Sequence, residues 1–133
     1  MIRDCLYPFL SLEKSLHGDE MIVIAISDKP VGLDIERIRK ADFRIAKRFF
    51  SEMENKYINE STSKQNERFF EIWTKKEAYA KYNGSGLLKC LSSLDVIENR
   101  KIYKTLKIKG HIISICSKNY MSSSTRKTGG FPL

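Results

Sequence analysis

Residues 73–81 read Trp-Thr-Lys-Lys-Glu-Ala-Tyr-Ala-Lys, and they lie near the end of a segment, residues 66–82, that contains neither glycine nor proline. Strong helix formers fill this segment and an Asn-Gly pair follows it, so it predicts a long helix. At 100° per residue, Trp73, Glu77 and Lys81 share one side of that helix. Charged groups on an apolar face are costly to bury unless they are paired or bound to a ligand. An ordinary ion pair between Glu77 and Lys81 at the edge of the face remains open.

The composition describes one soluble globular domain. The chain has 133 residues, of which 41% are hydrophobic and 30% charged. Its net charge of +8 favours an acidic partner, which could be nucleic acid, an anionic surface, a phosphorylated ligand or an acidic protein. The three cysteines form no CxxC pattern, which argues against a disulfide framework or a zinc site. The sequence shows neither an apolar run of transmembrane length nor a signal-peptide pattern, so we expect a cytoplasmic protein without a membrane partner.

The residues before the long helix predict strands. Residues 21–26 form a β-branched run typical of a strand that is buried on both faces. Residues 31–36 predict a second strand, which we expect to pair with the first as a hairpin across the turn residues 27–30. Because side chains alternate along a strand, Asp34 and Glu36 share one face, roughly 7 Å apart.

The remaining segments complete an α+β pattern. From residue 41 the periodicity is helical, and Ser51 with Glu54 three residues later predicts the N-cap of a second short helix. After the long helix, further strands are predicted at residues 87–91, 94–97, 102–108 and 111–116. We therefore expect a single α+β domain over residues 1–117, with an antiparallel sheet packed against the long helix. Serine, threonine, lysine and glycine dominate residues 118–133, which we expect to form a disordered tail.

Three carboxylates converge in this prediction, because Glu77 points inward from a helix that packs across the strand carrying Asp34 and Glu36. An all-oxygen set suits a hard cation, Mg²⁺ in particular, which substrate phosphates usually complete. Lys81, one turn beyond Glu77, is placed to meet such a phosphate. These residues indicate a metal-assisted reaction on a phosphorylated substrate. A Mg²⁺-dependent nuclease or phosphohydrolase remains an alternative, as does a basic nucleic-acid-binding module, although the latter leaves the carboxylates unexplained.

Two segments, residues 31–36 and 73–81, resemble the paired signature of the 4′-phosphopantetheinyl transferases. That signature is G-[IV]-D followed by [FW]-[SCT]-x-K-E-[AS]-x-x-K, and every fixed position is met, with Leu33 as a conservative variant. Residues 48–54 resemble the family's RFFS-x-x-E segment, and residues 84–87 resemble the G-x-G-L that follows the second motif.

The resemblance implies a fold of the phosphopantetheinyl transferase type and a specific reaction. Members move the 4′-phosphopantetheine arm of coenzyme A onto a serine of an acyl or peptidyl carrier protein and release 3′,5′-ADP. By this resemblance, Asp34, Glu36 and Glu77 would hold Mg²⁺, and Glu77, directly or through a metal-bound water, would be the base for the carrier serine. Lys81 would bind the diphosphate, so that Asp34, Glu77 and Lys81 form the implied catalytic set. Nucleic acid is then no longer an expected partner.

The resemblance also implies secondary contacts with the coenzyme A phosphates. His17 stands where surfactin-type members carry the histidine of an S-H-S-G segment, although Leu16 replaces the first serine. Lys76 lies within the second signature. An ordinary turn histidine and a solvated lysine are the respective alternatives. The six Lys and Arg residues between positions 37 and 48 could dock an acidic carrier, or could simply form a solvated face.

The resemblance covers about residues 17–97 and departs from the family in one respect. Surfactin-type members are pseudo-dimers of two similar halves with coenzyme A between them, whereas this chain resembles the second half with only the last strand of the first. Small holo-acyl-carrier-protein synthases are trimers with sites between subunits, but they begin almost at the first motif. We therefore expect a homo-oligomer, either a dimer or a trimer, in which a second copy completes the coenzyme A cleft.

Overall fold

The computed structural model describes residues 21–98 and 102–118, together with the backbone of residues 9–14. Three strands come first, β1 (Phe9–Lys14), β2 (Ile22–Ser27) and β3 (Gly32–Arg37). The helices follow as α1 (Phe43–Phe49), α2 (Glu52–Asn59), α3 (Gln65–Asn83) and α4 (Leu87–Ser93). Two further strands are β4 (Tyr103–Ile108) and β5 (His111–Cys116). The predicted α+β class, with an antiparallel sheet against a long helix, is confirmed.

The strands form two separate antiparallel sheets. One is a three-stranded sheet in the order β3-β5-β4, and the other is a two-stranded ribbon of β1 and β2. In the larger sheet, Asp34 lies opposite Ser114. The predicted hairpin between residues 21–26 and 31–36 is therefore wrong. The two strands instead meet face to face, because the apolar side chains of β3 that point away from α3 need a covering layer, and the ribbon supplies it.

The strand β2 buries only one of its faces. Its inner side chains, Val23 and Ala25, pack on a cluster built on Leu33, Ile35 and Ile113. Three isoleucines on the opposite face of β2 are exposed, namely Ile22 (60%), Ile24 (53%) and Ile26 (56%). The prediction of a strand buried on both faces is wrong, because a continuous apolar run does not report whether one of its faces lies at the surface of the domain.

The long helix α3 occupies the centre of the domain. It ends at Asn83 as predicted, and Gly84 adopts the left-handed conformation, with φ of 67°, that a helix C-terminus favours. One side of α3 packs on β3 and β5, while α2 and α4 pack against it elsewhere. The ring of Phe69 anchors the main core, with its centroid 5.1–6.1 Å from those of four other aromatic side chains.

Of the other predicted helices and strands, some are confirmed and some are wrong. Ser51 caps α2 as predicted, since its Oγ accepts a hydrogen bond from the Glu54 backbone N–H at 3.1 Å. The strands predicted at residues 102–108 and 111–116 are confirmed as β4 and β5. Residues 87–91 form part of α4. Residues 94 and 95 are irregular and residues 96–98 form a turn, so both strand predictions there are wrong. A short apolar run does not distinguish a strand from a buried helix by its periodicity.

Some predictions fall on positions outside the described residues. His17 and residues 119–133 belong to this group, and the extent of the domain and the tail therefore stay predictions. Within the described part, no helix is both long enough and apolar enough to cross a membrane.

Candidate active site

The candidate site lies where α3 crosses β3, and Gly32 makes the crossing possible. A Cβ atom on Gly32 would lie 1.9 Å from the backbone oxygen of Ala78 and 2.6 Å from the backbone nitrogen of Tyr82. Only glycine permits so close an approach of two backbones. The second half of α3 is thereby held against the face of β3 that carries Asp34.

Asp34 and Lys81 meet at this crossing. The Lys81 Nζ lies 3.1 Å from Asp34 Oδ1, and it also donates a hydrogen bond to the Leu33 carbonyl oxygen at 3.0 Å. Asp34 is only 4% exposed. Its second oxygen, Oδ2, is buried and has no hydrogen-bond partner in the described part of the chain. An unsatisfied buried carboxylate oxygen is energetically costly, which makes it a natural ligand position for a cation.

The raised pKa of Asp34 also favours the binding of a cation at this position. Burial raises the pKa of Asp34 from 3.8 to about 8, the nearby Lys81 ammonium opposes this, and Glu77 and Glu36 add to the rise by repulsion. Asp34 is therefore close enough to each of the other two predicted carboxylates to be repelled by it. A divalent cation would relieve both the repulsion and the cost of burying an ionised carboxylate.

The donor set fits Mg²⁺, although it is not assembled into a finished cluster. Glu36 is engaged by Arg39, with 2.9 Å between Glu36 Oε2 and Arg39 Nη1. Among the described residues, no three His, Cys, Asp or Glu side chains stand close enough together to hold a metal ion. The donors are nevertheless all oxygens, Asp34 Oδ2 is unsatisfied, and a partly exposed ion pair such as Glu36–Arg39 is weak enough to exchange. That Asp34, Glu36 and Glu77 hold Mg²⁺ stays a prediction.

Lys76 lies away from this site. Its side chain is fully buried, with Nζ 2.7 Å from Glu54 Oε1 and hydrogen bonds to the carbonyl oxygens of Leu91 at 2.8 Å and Leu94 at 2.5 Å. The ammonium is thus paired with a buried carboxylate and hydrogen-bonded to two carbonyl oxygens, with no exposed surface at which a phosphate could reach it. The predicted phosphate contact is not supported by this geometry. Neighbouring helix residues project about 100° apart, so Lys76 does not face the site that Glu77 faces.

Three hydrogen-bonded hydroxyl groups lie beneath α3, and the sequence analysis did not predict them. Thr74 Oγ1 lies 2.7 Å from Ser114 Oγ, which in turn lies 3.0 Å from Thr105 Oγ1. Ser114 is fully buried and is the cross-strand neighbour of Asp34. A serine within the apolar run of β5, Ile-Ile-Ser-Ile, was the available signal, because a polar residue amid buried aliphatic ones requires a partner.

Comparison with known proteins gives a consistent result. The family model of the 4′-phosphopantetheinyl transferase superfamily matches residues 30–130. The chain is 45% identical over 94 residues to the 4′-phosphopantetheinyl transferase gsp of Aneurinibacillus migulanus, which covers 66% of this chain and 39% of that protein. It is 36% identical over 96 residues to the 4′-phosphopantetheinyl transferase psf-1 of Bacillus pumilus, covering 71% and 41% respectively. For the 4′-phosphopantetheinyl transferase Sfp of Bacillus subtilis (strain 168), identity is 33% over 81 residues, with coverage of 60% and 36%. The chain thus spans about two fifths of the length of these curated relatives.

Proposed function

This chain belongs to the 4′-phosphopantetheinyl transferase superfamily, and we propose that it transfers the 4′-phosphopantetheine arm of coenzyme A to a carrier-protein serine. The observation that carries the proposal is the buried Asp34 carboxylate, which has Lys81 on one oxygen and, among the described residues, no hydrogen-bond partner on the other. It lies at the point where the two signature segments, on β3 and α3, meet.

The chain's own side chains then have distinct roles. Asp34, Glu36 and Glu77 would hold Mg²⁺, which when bound neutralises the charge of the coenzyme A diphosphate. The Lys81 ammonium, already anchored by the Leu33 carbonyl oxygen, binds the diphosphate and stabilises the negative charge that develops on the departing 3′,5′-ADP. The Glu77 carboxylate takes the proton from the serine Oγ as that oxygen attacks phosphorus.

The test of this function is direct. The protein is incubated with coenzyme A, Mg²⁺ and an apo acyl or peptidyl carrier protein, and the carrier is then weighed by mass spectrometry. We expect a mass gain equal to one phosphopantetheine group and the release of 3′,5′-ADP. No gain on either type of carrier, together with cleavage of a nucleic acid, would favour a nuclease instead.

A matched pair of variants on α3 tests the role of Glu77. Glu77→Gln should lower the transfer rate by roughly 10²–10⁴-fold, the contribution typical of a general base. Glu67→Gln makes the same substitution on the same helix, in a surface ion pair with Lys107 at 2.7 Å, and should leave transfer unchanged. Full activity of Glu77→Gln would remove Glu77 from the mechanism.

The acidic carrier would bind the basic surface of α1. Lys47 and Arg48 are exposed there, and Phe43, which is 37% exposed, adds an apolar contact. Lys47→Glu should weaken carrier binding and raise the KM for the carrier several-fold, with little change in kcat. Lys104→Glu, an exposed charge reversal on β4, is the control and should leave the KM unchanged.

A second copy of the chain would complete the coenzyme A cleft, and the exposed isoleucine face of β2 supports such an association. Contiguous apolar surface of this kind is characteristic of interaction sites. Ile24→Lys should therefore lower the oligomeric state measured by sedimentation and reduce transfer at the same time. A wild-type chain that is monomeric at micromolar concentration and fully active would contradict the proposed oligomer.

A further inference from the structure

The hydroxyl chain that joins β4, β5 and α3 has a defined direction. Thr74 Oγ1 donates to the Glu71 carbonyl oxygen at 3.2 Å, so its only proton is committed. With that proton committed, Thr74 accepts the proton of Ser114, and the Ser114 oxygen is then open to the proton of Thr105. Among the hydrogen bonds of the described residues, this is the arrangement in which each of the three hydroxyls donates once. The bond between Ser114 and Thr74 is therefore a single directed hydrogen bond from the sheet to the helix.

That bond lies beside the residues of the candidate site. Ser114 stands opposite Asp34 in the register of β3 and β5, on the face covered by α3. Thr74 lies one helical turn before Glu77. Further along α3, the contact of Gly32 with Ala78 is the second point at which the helix is held against the sheet. Glu77 thus lies between two fixed points.

Each of the two fixed points restrains a different motion of α3. The glycine contact sets how closely α3 approaches the sheet, but a backbone contact alone tolerates sliding or rotation about the helix axis. A directed hydrogen bond at 2.7 Å does not tolerate such motion, because its energy falls steeply with distance and angle. A small rotation of α3 would carry the Glu77 carboxylate away from Asp34 and weaken any site that requires both.

We infer that Thr74 and Ser114 are positioning residues, whose hydrogen bond sets the register between Glu77 on α3 and Asp34 on β3 for the binding of a divalent cation. The inference rests on the proposed function only in so far as both require a cation at these carboxylates. Neither hydroxyl would be a ligand of the cation. Groups that orient metal ligands without touching the metal typically change metal affinity by about 10–100-fold when they are removed.

The experiment measures Mn²⁺ binding to the full chain by electron paramagnetic resonance, since Mn²⁺ shares the oxygen preference of Mg²⁺ and its free form gives a signal. Thr74→Val keeps the shape of the side chain and removes the hydroxyl. We expect its Mn²⁺ affinity to fall roughly 10-fold or more. Thr74→Ser restores the hydroxyl and should restore the affinity.

Two controls separate positioning from general stability. Val96→Ala truncates a fully buried side chain in the turn after α4, and it should lower the urea midpoint without changing Mn²⁺ affinity. The double variant Thr74→Val with Ser114→Ala removes both hydroxyls of this bond, and Thr105, which is only half-buried, can donate to water instead. We therefore expect stability to recover while affinity stays low.

The outcomes are decisive. Wild-type affinity in Thr74→Val, recovery of affinity together with stability in the double variant, or no Mn²⁺ binding by the wild-type chain would each overturn the inference. A chain that fails to transfer phosphopantetheine but shows the expected series of Mn²⁺ affinities would refute the proposed function and leave the positioning role intact.

Discussion

Replacing Gly32 by alanine is the sharpest test of how the site is built. The added methyl carbon would lie 1.9 Å from the Ala78 backbone oxygen, whereas ordinary contacts begin at 3.4 Å, so α3 must move by about 1.5 Å. The obstacle is helix backbone rather than the end of a flexible side chain. Overpacking of this kind costs about 1–3 kcal/mol, and the upper end applies here. The gain of about 0.4–1 kcal/mol from a less flexible unfolded chain offsets a part. We expect a net loss of about 2 kcal/mol in the free energy of unfolding.

The same displacement would disrupt the site. A shift of this size is large compared with the 3.1 Å separation of Lys81 Nζ and Asp34 Oδ1, and misplacement by about 1 Å can cost 10²-fold in rate. Urea unfolding measures the stability, and Mn²⁺ binding reports on the site. Gly84→Ala is the control: its Cβ meets nothing within 4 Å, so it carries only the cost of a positive φ, about 1 kcal/mol. If Gly32→Ala unfolds at the wild-type urea concentration and binds Mn²⁺ normally, the close approach does not organise the site.

Further predictions concern the buried charges. Lys76→Met would leave Glu54 buried without its cation and should cost about 3–5 kcal/mol in urea unfolding, while Glu54→Leu combined with Lys76→Met should recover most of the loss. An unchanged unfolding midpoint in the single variant would show that the pair is not essential. Because the pKa of Asp34 is raised from 3.8 to about 8, the folded chain retains a proton that the unfolded chain releases. The free energy of unfolding should therefore fall by a few kcal/mol as the pH rises between these values, and Asp34→Asn should flatten the dependence; equal slopes would contradict the raised pKa. Mg²⁺ binding to the protein at pH 7 should release protons, measurable by calorimetry in buffers of different ionisation enthalpy, and no release would show that Asp34 is not a ligand.

Local patterns along the chain predicted much of the fold. The span of α3, the Ser51 cap and the strands β4 and β5 follow from periodicity and stop signals that act within a few residues. The errors arose where distant segments compete. Whether β2 pairs with the edge of β3 or packs on its face depends on which apolar surfaces of the rest of the domain have to be buried. The apolar run that forms α4 is equally compatible with a strand.

The candidate site shows the same division. The sequence by itself determined which chemical groups are present: Asp34 and Glu36 two residues apart on a strand, and Glu77 and Lys81 one turn apart on a helix, because local geometry places such pairs on a common face. Only the tertiary structure decided what each group meets. It paired Lys81 with Asp34, and it buried Lys76 in an ion pair with Glu54. The direction in which each face of a helix points depends on how the helix packs across the sheet. That packing in turn depends on the absence of a single Cβ atom at Gly32, where two backbones touch.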